Sequence, residues 1–175
     1  MDTLTPAATR PPSRRRRYDE PRRSPRAGGR AAPIELTTRR PTEFIDLTGR
    51  VQQVIAAAGF EFGIVNIQTL HTTTAIVVNE HEPLLLDDFH ALLEQLAPSH
   101  GRYRHDDETA RTVNVTEGER ANGHAHCRAL FLPSSACLNV VGGRLQLGRW
   151  QRIFLVELDG PRVRHVSVAM VGDRP

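Results

Sequence analysis

The feature that most limits how this chain can fold is an abrupt change of character near residue 33. Residues 1–32 are mostly Arg, Pro, Ser, Ala and Gly, with nine arginines at positions 10, 14, 15, 16, 17, 22, 23, 26 and 30. Such a segment offers too little apolar surface to offset the entropy of ordering it, so it reads as a disordered tail. Whatever builds a core lies in residues 33–175, which is enough for one domain. The nine arginines are opposed only by Asp2, Asp19 and Glu20, a net of +6. The whole chain carries +3, so the foldable part is mildly acidic at −3. That sign argues against a nucleic-acid-binding domain and leaves the tail as the one segment suited to RNA, DNA or an acidic surface. The longest apolar runs, 74–78 and 153–156, are too short to cross a bilayer, and the N-terminus has no secretory apolar stretch. The expectation is a cytoplasmic protein with no membrane partner. Cys127 and Cys137 form neither a disulfide framework nor a zinc ribbon, and are expected to be small buried apolar residues.

Beyond residue 33 the pattern is of short strands and few helices. Strands are expected at 34–38, 63–70, 74–78, 136–141, 145–158 (interrupted near Gly148) and 163–171, separated by turns at Gly142-Gly143 and Asp159-Gly160-Pro161. Thr48 reads as the cap of a helix carrying Val51, Val54, Ile55 and Ala58 and stopped by Gly59. The clearest element is an amphipathic helix with Leu85, Phe89, Leu92 and Leu96 at helical spacing, opened by Pro83 and closed before Pro98. Residues 101–118 read as a long loop, and a shorter helix follows over 122–132 with Asn122 as its cap. Strands outnumber helices without strict alternation, which favours an α+β fold over a doubly wound sheet.

Chemistry concentrates in the histidines, of which there are eight. His81, His90, His100 and His165 have solvated, loop or exposed-strand contexts. His71 stands apart because three threonines follow it where two apolar strands meet. His105 lies in a polar burst, Tyr103-Arg-His-Asp-Asp, and His124 and His126 in Asn122-Gly-His-Ala-His. On a helix, residues two apart point about 200° from one another, so only one of the last pair can face a common site. Asn122 and His126 are four apart and share a face, which favours His126; in an extended segment both could bind one metal. His71, His105 and His126 together make an open divalent-metal site, or else three satisfied histidines with no ion. Glu80 ends an apolar strand and suits a general base or a partner that orients a histidine. Asp87 and Asp88 complement a helix dipole, and Asp106 and Asp107 read as solvated loop acids. No phosphate-cradling glycine motif and no serine-hydrolase elbow occurs. Trp150 reads as core or interface.

Five segments in order carry a resemblance: Leu70-His-Thr-Thr-Thr-Ala-Ile-Val-Val-Asn-Glu, Tyr103-Arg-His-Asp-Asp, Asn122-Gly-His-Ala-His, Gly143-Arg-Leu-Gln-Leu-Gly-Arg-Trp-Gln and Glu157-Leu-Asp-Gly-Pro-Arg. Together they resemble the YjbQ family, whose members are often described as secondary thiamine-phosphate synthases, over about residues 34–171. The resemblance implies a mixed or antiparallel β-sandwich with a few helices, assembled as a compact homotrimer. It further implies a polar pocket in which zinc is the expected metal, held by His71, His105 and His126. The implied activity couples a pyrimidine diphosphate to a thiazole phosphate and releases pyrophosphate, so the partner would be a small phosphorylated metabolite. In that scheme His71 and Glu80 are catalytic, while Thr72, Thr73, Asn79 and Asn122 bind substrate. The alternative is a non-catalytic trimer that binds a metabolite or metal. Three departures stand out: Asp106 where Asn is commoner, a longer 109–120 segment, and Gly142 for a common Asp.

Overall fold

Alternation of buried and exposed positions along the strands determines which face each one turns inward. In the computed structural model, which describes residues 28–173, the strands are β1 (Gly28–Thr37), β2 (Glu43–Asp46), β3 (Phe62–Thr69), β4 (Thr74–Glu80), β5 (Ser135–Val141), β6 (Arg144–Leu145), β7 (Gln151–Glu157) and β8 (Val163–Asp173). The α-helices are α1 (Thr48–Ala58), α2 (Pro83–Leu96) and α3 (Gly123–Leu130), with a single 3-10 turn at Arg104–Asp106. Five strands form one sheet in the order β1-β8-β3-β5-β6, and three form a second, β2-β7-β4. Every pairing is antiparallel. The fold is therefore mixed α+β, with antiparallel sheets and three helices.

The small sheet is buried on both faces. Ile153 and Leu155 of β7 join Ile76, the inward side chains of β3 and β8, and Val51 and Ile55 of α1 in the main core. Phe154 and Val156 turn the other way and pack with Ala75, Leu93 of α2 and Ala125 of α3. A strand covered on both sides needs a continuous apolar run, which is what Ile153-Phe-Leu-Val supplies. Each fully buried Val, Ile, Leu or Phe among these contributes about 1.5–3 kcal/mol relative to exposure. The layers are thus large sheet with α1, small sheet, then α2 and α3. The outer face of the large sheet has no such cover and presents Phe62, Ile64, Val141 and Val171.

Several expectations need correction. The first strand begins at Gly28 and not at the expected residue 34, because Gly28 to Ala32 pair with Gly172 to Val168. The arginine-rich segment 1–27, with its expected disorder and nucleic-acid contact, lies outside the described residues. The four residues of β2 gave no periodic signal to read. Thr48 does not cap α1 with its hydroxyl, which accepts from Ile153 N at 2.9 Å. Asp46 Oδ1 accepts from Thr48 N instead, at 2.8 Å. Gly59 does end α1 in the left-handed region, φ 67°. On α2 Leu93 is the buried residue and Leu86 packs partly against the same core, one position round from the expected stripe, of which Leu85 and Phe89 are half-buried and Leu92 and Leu96 exposed. His90 is not merely solvated: its ring meets Phe44 edge-on at 5.2 Å. Both cysteines are exposed, since Cys137 falls on the outer face of the large sheet and Cys127 on the outer side of α3. Trp150 is 58% exposed, not core, with the Arg149 guanidinium 4.5 Å from its ring centre. Among the described residues no helix is long and apolar enough to cross a membrane.

Candidate functional site

The end of β7 and the turn into β8 carry Glu157-Leu-Asp-Gly-Pro-Arg, where an apolar strand gives way to charge inside the protein. Glu157 is fully buried. Its carboxylate accepts from Arg164 Nε at 2.6 Å and Nη2 at 2.5 Å, from Thr38 Oγ1 at 3.0 Å, and from the backbone N–H groups of Leu158 and Asp159 at 3.0 and 2.8 Å. Burial alone would raise its pKa; the donated hydrogen bonds and the Arg164 charge outweigh burial and hold it below the ordinary glutamate range. Arg164 also donates to Thr73 Oγ1 at 3.1 Å. One residue along, His71 Nε2 accepts from His165 N at 2.8 Å. Burial first, then the Arg164 and His165 charges, lower the His71 pKa and keep the ring neutral. His165, read from sequence as a bystander, thus fixes the His71 tautomer, while its own ring reaches Glu35 at 3.2 Å.

A second cluster forms where the 3-10 turn meets α3. Asp106 is not a solvated loop acid: its Oδ1 accepts from Asn122 N at 3.0 Å and Gly123 N at 2.8 Å. It satisfies the N-terminus of α3 from a distant segment, which the side chain of Asn122 leaves uncapped. This clamp brings His105 against His126, ring centres 4.6 Å apart. The helix turns His124 away, to within 6.4 Å of Tyr103. Burial first and then His105 lower the His126 pKa, which favours the neutral ring. Asn122, also buried, donates from Nδ2 to Asp159 Oδ2 at 3.1 Å. Two buried side-chain atoms among the described residues have no hydrogen-bond partner, His105 Nε2 and Asn122 Oδ1, and both belong to this cluster.

The residues singled out by sequence therefore separate. His105, His126 and Asn122 come together. His71 and Thr73 belong to the Glu157–Arg164 network, and Thr72 is exposed in the turn between β3 and β4. Asn79 and Glu80 close β4, opposite Arg152 and Gln151. That places Glu80 about 20 Å along the strand from Thr74, at the far end from His71. The three imidazoles expected to hold zinc do not gather within one chain, and among the described residues no three His, Cys, Asp or Glu side chains form a metal-binding group. The donor set does not fit a zinc site, which needs at least three protein ligands. Sequence reasoning passed over Asp159, Arg120 and Arg162. Asp159 is 6% exposed, with Arg162 Nη2 at 2.8 Å from Oδ2. The available signal was charge directly following four apolar strand residues, since buried acids need partners.

The comparisons with known proteins agree with one another. A family model described as UPF0047 protein YjbQ-like matches residues 32–173. A UPF0047 protein of Methanothermobacter thermautotrophicus is 37% identical over 139 residues, 79% of this chain and 90% of the relative. The UPF0047 protein YugU of Bacillus subtilis is 31% identical over 141 residues, covering 79% and 97%. Among solved structures, a YbjQ-like protein of unknown function from Sulfolobus solfataricus superposes with a TM-score of 0.74 at 34% identity, over 84% of this chain and 99% of that one. A YjbQ/UPF0047 protein from Clostridium acetobutylicum gives 0.69 at 31%, over 79% and 98%.

Proposed function

Because the chain belongs to the UPF0047 family of YjbQ-like proteins, we propose that the His105–His126 cluster is where it handles a small phosphorylated metabolite. The observation that carries this reading is the pair of orphaned buried atoms, His105 Nε2 and Asn122 Oδ1, on residues that share one cluster with the His126 ring. Buried polar atoms are nearly always paired, so two without partners in one cluster suit an external ligand. The candidate reaction is the coupling of a pyrimidine diphosphate to a thiazole phosphate. In it the carbon–oxygen bond to the diphosphate breaks with its electron pair leaving on pyrophosphate, and the thiazole nitrogen lone pair takes its place on the methylene carbon. A neutral His126 suits that step by donating one N–H to the departing oxygen while Asn122 orients the substrate. No step is assigned to a metal, because only two imidazoles converge. The test is turnover of the two phosphorylated substrates by the wild-type protein and by His126→Ala. The reading predicts a loss of at least a hundredfold; unchanged turnover in His126→Ala would remove its basis.

A second reading has its own support. Glu80 and His71, the acid and imidazole assigned to catalysis by resemblance, stand at opposite ends of β4. That separation favours a binding protein without chemistry, for which the same substrates raise the melting temperature but are not consumed. A homotrimer belongs to both readings. Its support is the uncovered outer face of the large sheet, with Phe62 and Val141 directly paired across β3 and β5, and Ile64 opposite Val171. Ile64→Glu should convert a trimer to monomers in sedimentation velocity; an unchanged sedimentation coefficient would assign assembly to another surface.

A further inference from the structure

Two arginines from separate segments meet at one buried carboxylate. Arg162, just past the β7–β8 turn, places Nη2 2.8 Å from Asp159 Oδ2. Arg120, from the loop before α3, has Nη2 3.9 Å from Asp159 Oδ1. It also donates to the carbonyls of Gly160 at 3.4 Å and Asp159 at 3.2 Å. Asp159 is itself pinned by Asn122. A carboxylate held on its inner side by an amide and on its outer side by two guanidiniums leaves one positive charge in surplus. That surplus lies outward, because the arginine side chains are 52% and 38% exposed while the acid is 6% exposed.

Arg120 and Arg162 line an open cavity of 320 Å³ together with Thr116, Gly118 and Glu119. Its size is that of a small-molecule site. Glu119 does not oppose an anion there, since Arg111 holds its carboxylate at 2.8 Å. Glu117 also lines the cavity but is exposed to solvent. Guanidinium forks match phosphate oxygens in spacing and charge, and two of them held by one buried acid are oriented before any ligand arrives.

We propose that Arg120 and Arg162 form an oxyanion clamp for the phosphate or diphosphate group of a small metabolite, with Asp159 as the positioning residue that presents both. The clamp rests on the reading of this protein as one that handles phosphorylated small molecules, and it assigns the place of the phosphate. It neighbours the His105–His126 cluster through Asn122, which bonds Asp159 and starts the helix carrying His126. A neighbouring cavity lined by both His105 and Arg120 adjoins the clamp, so a ligand whose phosphate sat between the arginines would have room for its organic part on the His105 side.

The test is calorimetric titration of the full chain with inorganic pyrophosphate in about 0.15 M salt, which screens weak attraction to exposed charges. Arg120→Gln keeps a donor for the two carbonyls, and Arg162→Lys keeps a charge beside Asp159, so both should hold the fold, as circular dichroism would verify. The clamp predicts about tenfold or greater weakening in each, with Arg144→Gln, on the distant β6, unchanged. Equal weakening in all three variants would mean bulk charge and would overturn the clamp. Binding lost in His126→Ala but intact in both clamp variants would overturn it while leaving the small-molecule reading in place. No pyrophosphate binding by the wild-type protein would overturn both.

Discussion

Two polar clusters flank the end of β7, and they differ in how completely their atoms are satisfied. Around Glu157, each carboxylate oxygen has several donors, and Arg164 spans Glu157 and Thr73. Around His126, two buried atoms are left unpaired and the arginines nearby are half in solvent. The difference separates scaffold from site. A buried ion pair with all its hydrogen bonds made has nothing left to offer a ligand, whereas an orphaned donor or acceptor carries a desolvation cost that a ligand relieves. Thr73, chemically as suited to binding as Asn122, lies on the scaffold side of that division, its hydroxyl taken by Arg164.

The sharpest way to break the comparison is to unpair the scaffold. Arg164→Met leaves Glu157 buried without its cation and should cost about 3–5 kcal/mol in urea unfolding. A cost below about 1 kcal/mol would mean the network does not hold the β7–β8 turn. On the site side, Asp106→Ala removes the acceptor for two N–H groups of α3 and should cost about 0.5–2 kcal/mol. Asp106→Asn, which keeps an acceptor oxygen, should recover most of that. If Asp106→Ala matches wild type, the α3 terminus is satisfied by other means and the His105–His126 contact does not depend on it.

Smaller effects follow from the histidines. His71 and His126 both have lowered folded pKa values, chiefly from burial. Their contribution to stability is full above the unfolded histidine pKa of about 6.5 and is lost as pH falls from there through the lower folded values. Unfolding free energy should therefore decline between neutral and mildly acidic pH, before Glu157, whose pKa is lowered below the ordinary glutamate value of about 4.3, adds its own loss at more acidic pH. Substituting His71 by Asn should flatten the upper part of that decline; an unaltered slope would place the titration elsewhere. At the bottom of the scale, Cys127→Ser on the exposed side of α3 should change stability by no more than about 0.5 kcal/mol.

Much of the fold was legible because local rules and global packing agreed. Pro83 and Pro98 bracket α2 as expected, Gly59 ends α1 in the left-handed region, and alternation along 163–171 marks β8. Misreadings arose where a neighbour far along the chain made the decision. Leu85, Phe89, Leu92 and Leu96 form the better stripe in one dimension, yet the position of α2 over Phe154 and Ala125 buries Leu93 and leaves Leu92 and Leu96 exposed. Asp106 caps a helix that begins 17 residues later than itself. Within the candidate site, the helical period already aligned Asn122 with His126 and turned His124 aside. Nothing in the spacing could tell that His105 would join them or that His71 would not.

What the amino-acid order determined by itself is where most of the strands and helices lie, β2 excepted, and that core-forming residues begin near residue 34. These follow from backbone sterics and from the 2.0 and 3.6 residue periods, which act over a few positions. Only the tertiary structure decided which polar groups were consumed in holding the molecule together and which remained free to meet a ligand. That division depends on whether donors and acceptors from distant segments arrive at hydrogen-bonding distance, and on how much water is removed when they do. Glu157 and Asp159, two residues apart, illustrate it: one is enclosed by Arg164, and the other gathers arginines whose outer faces stay in solvent.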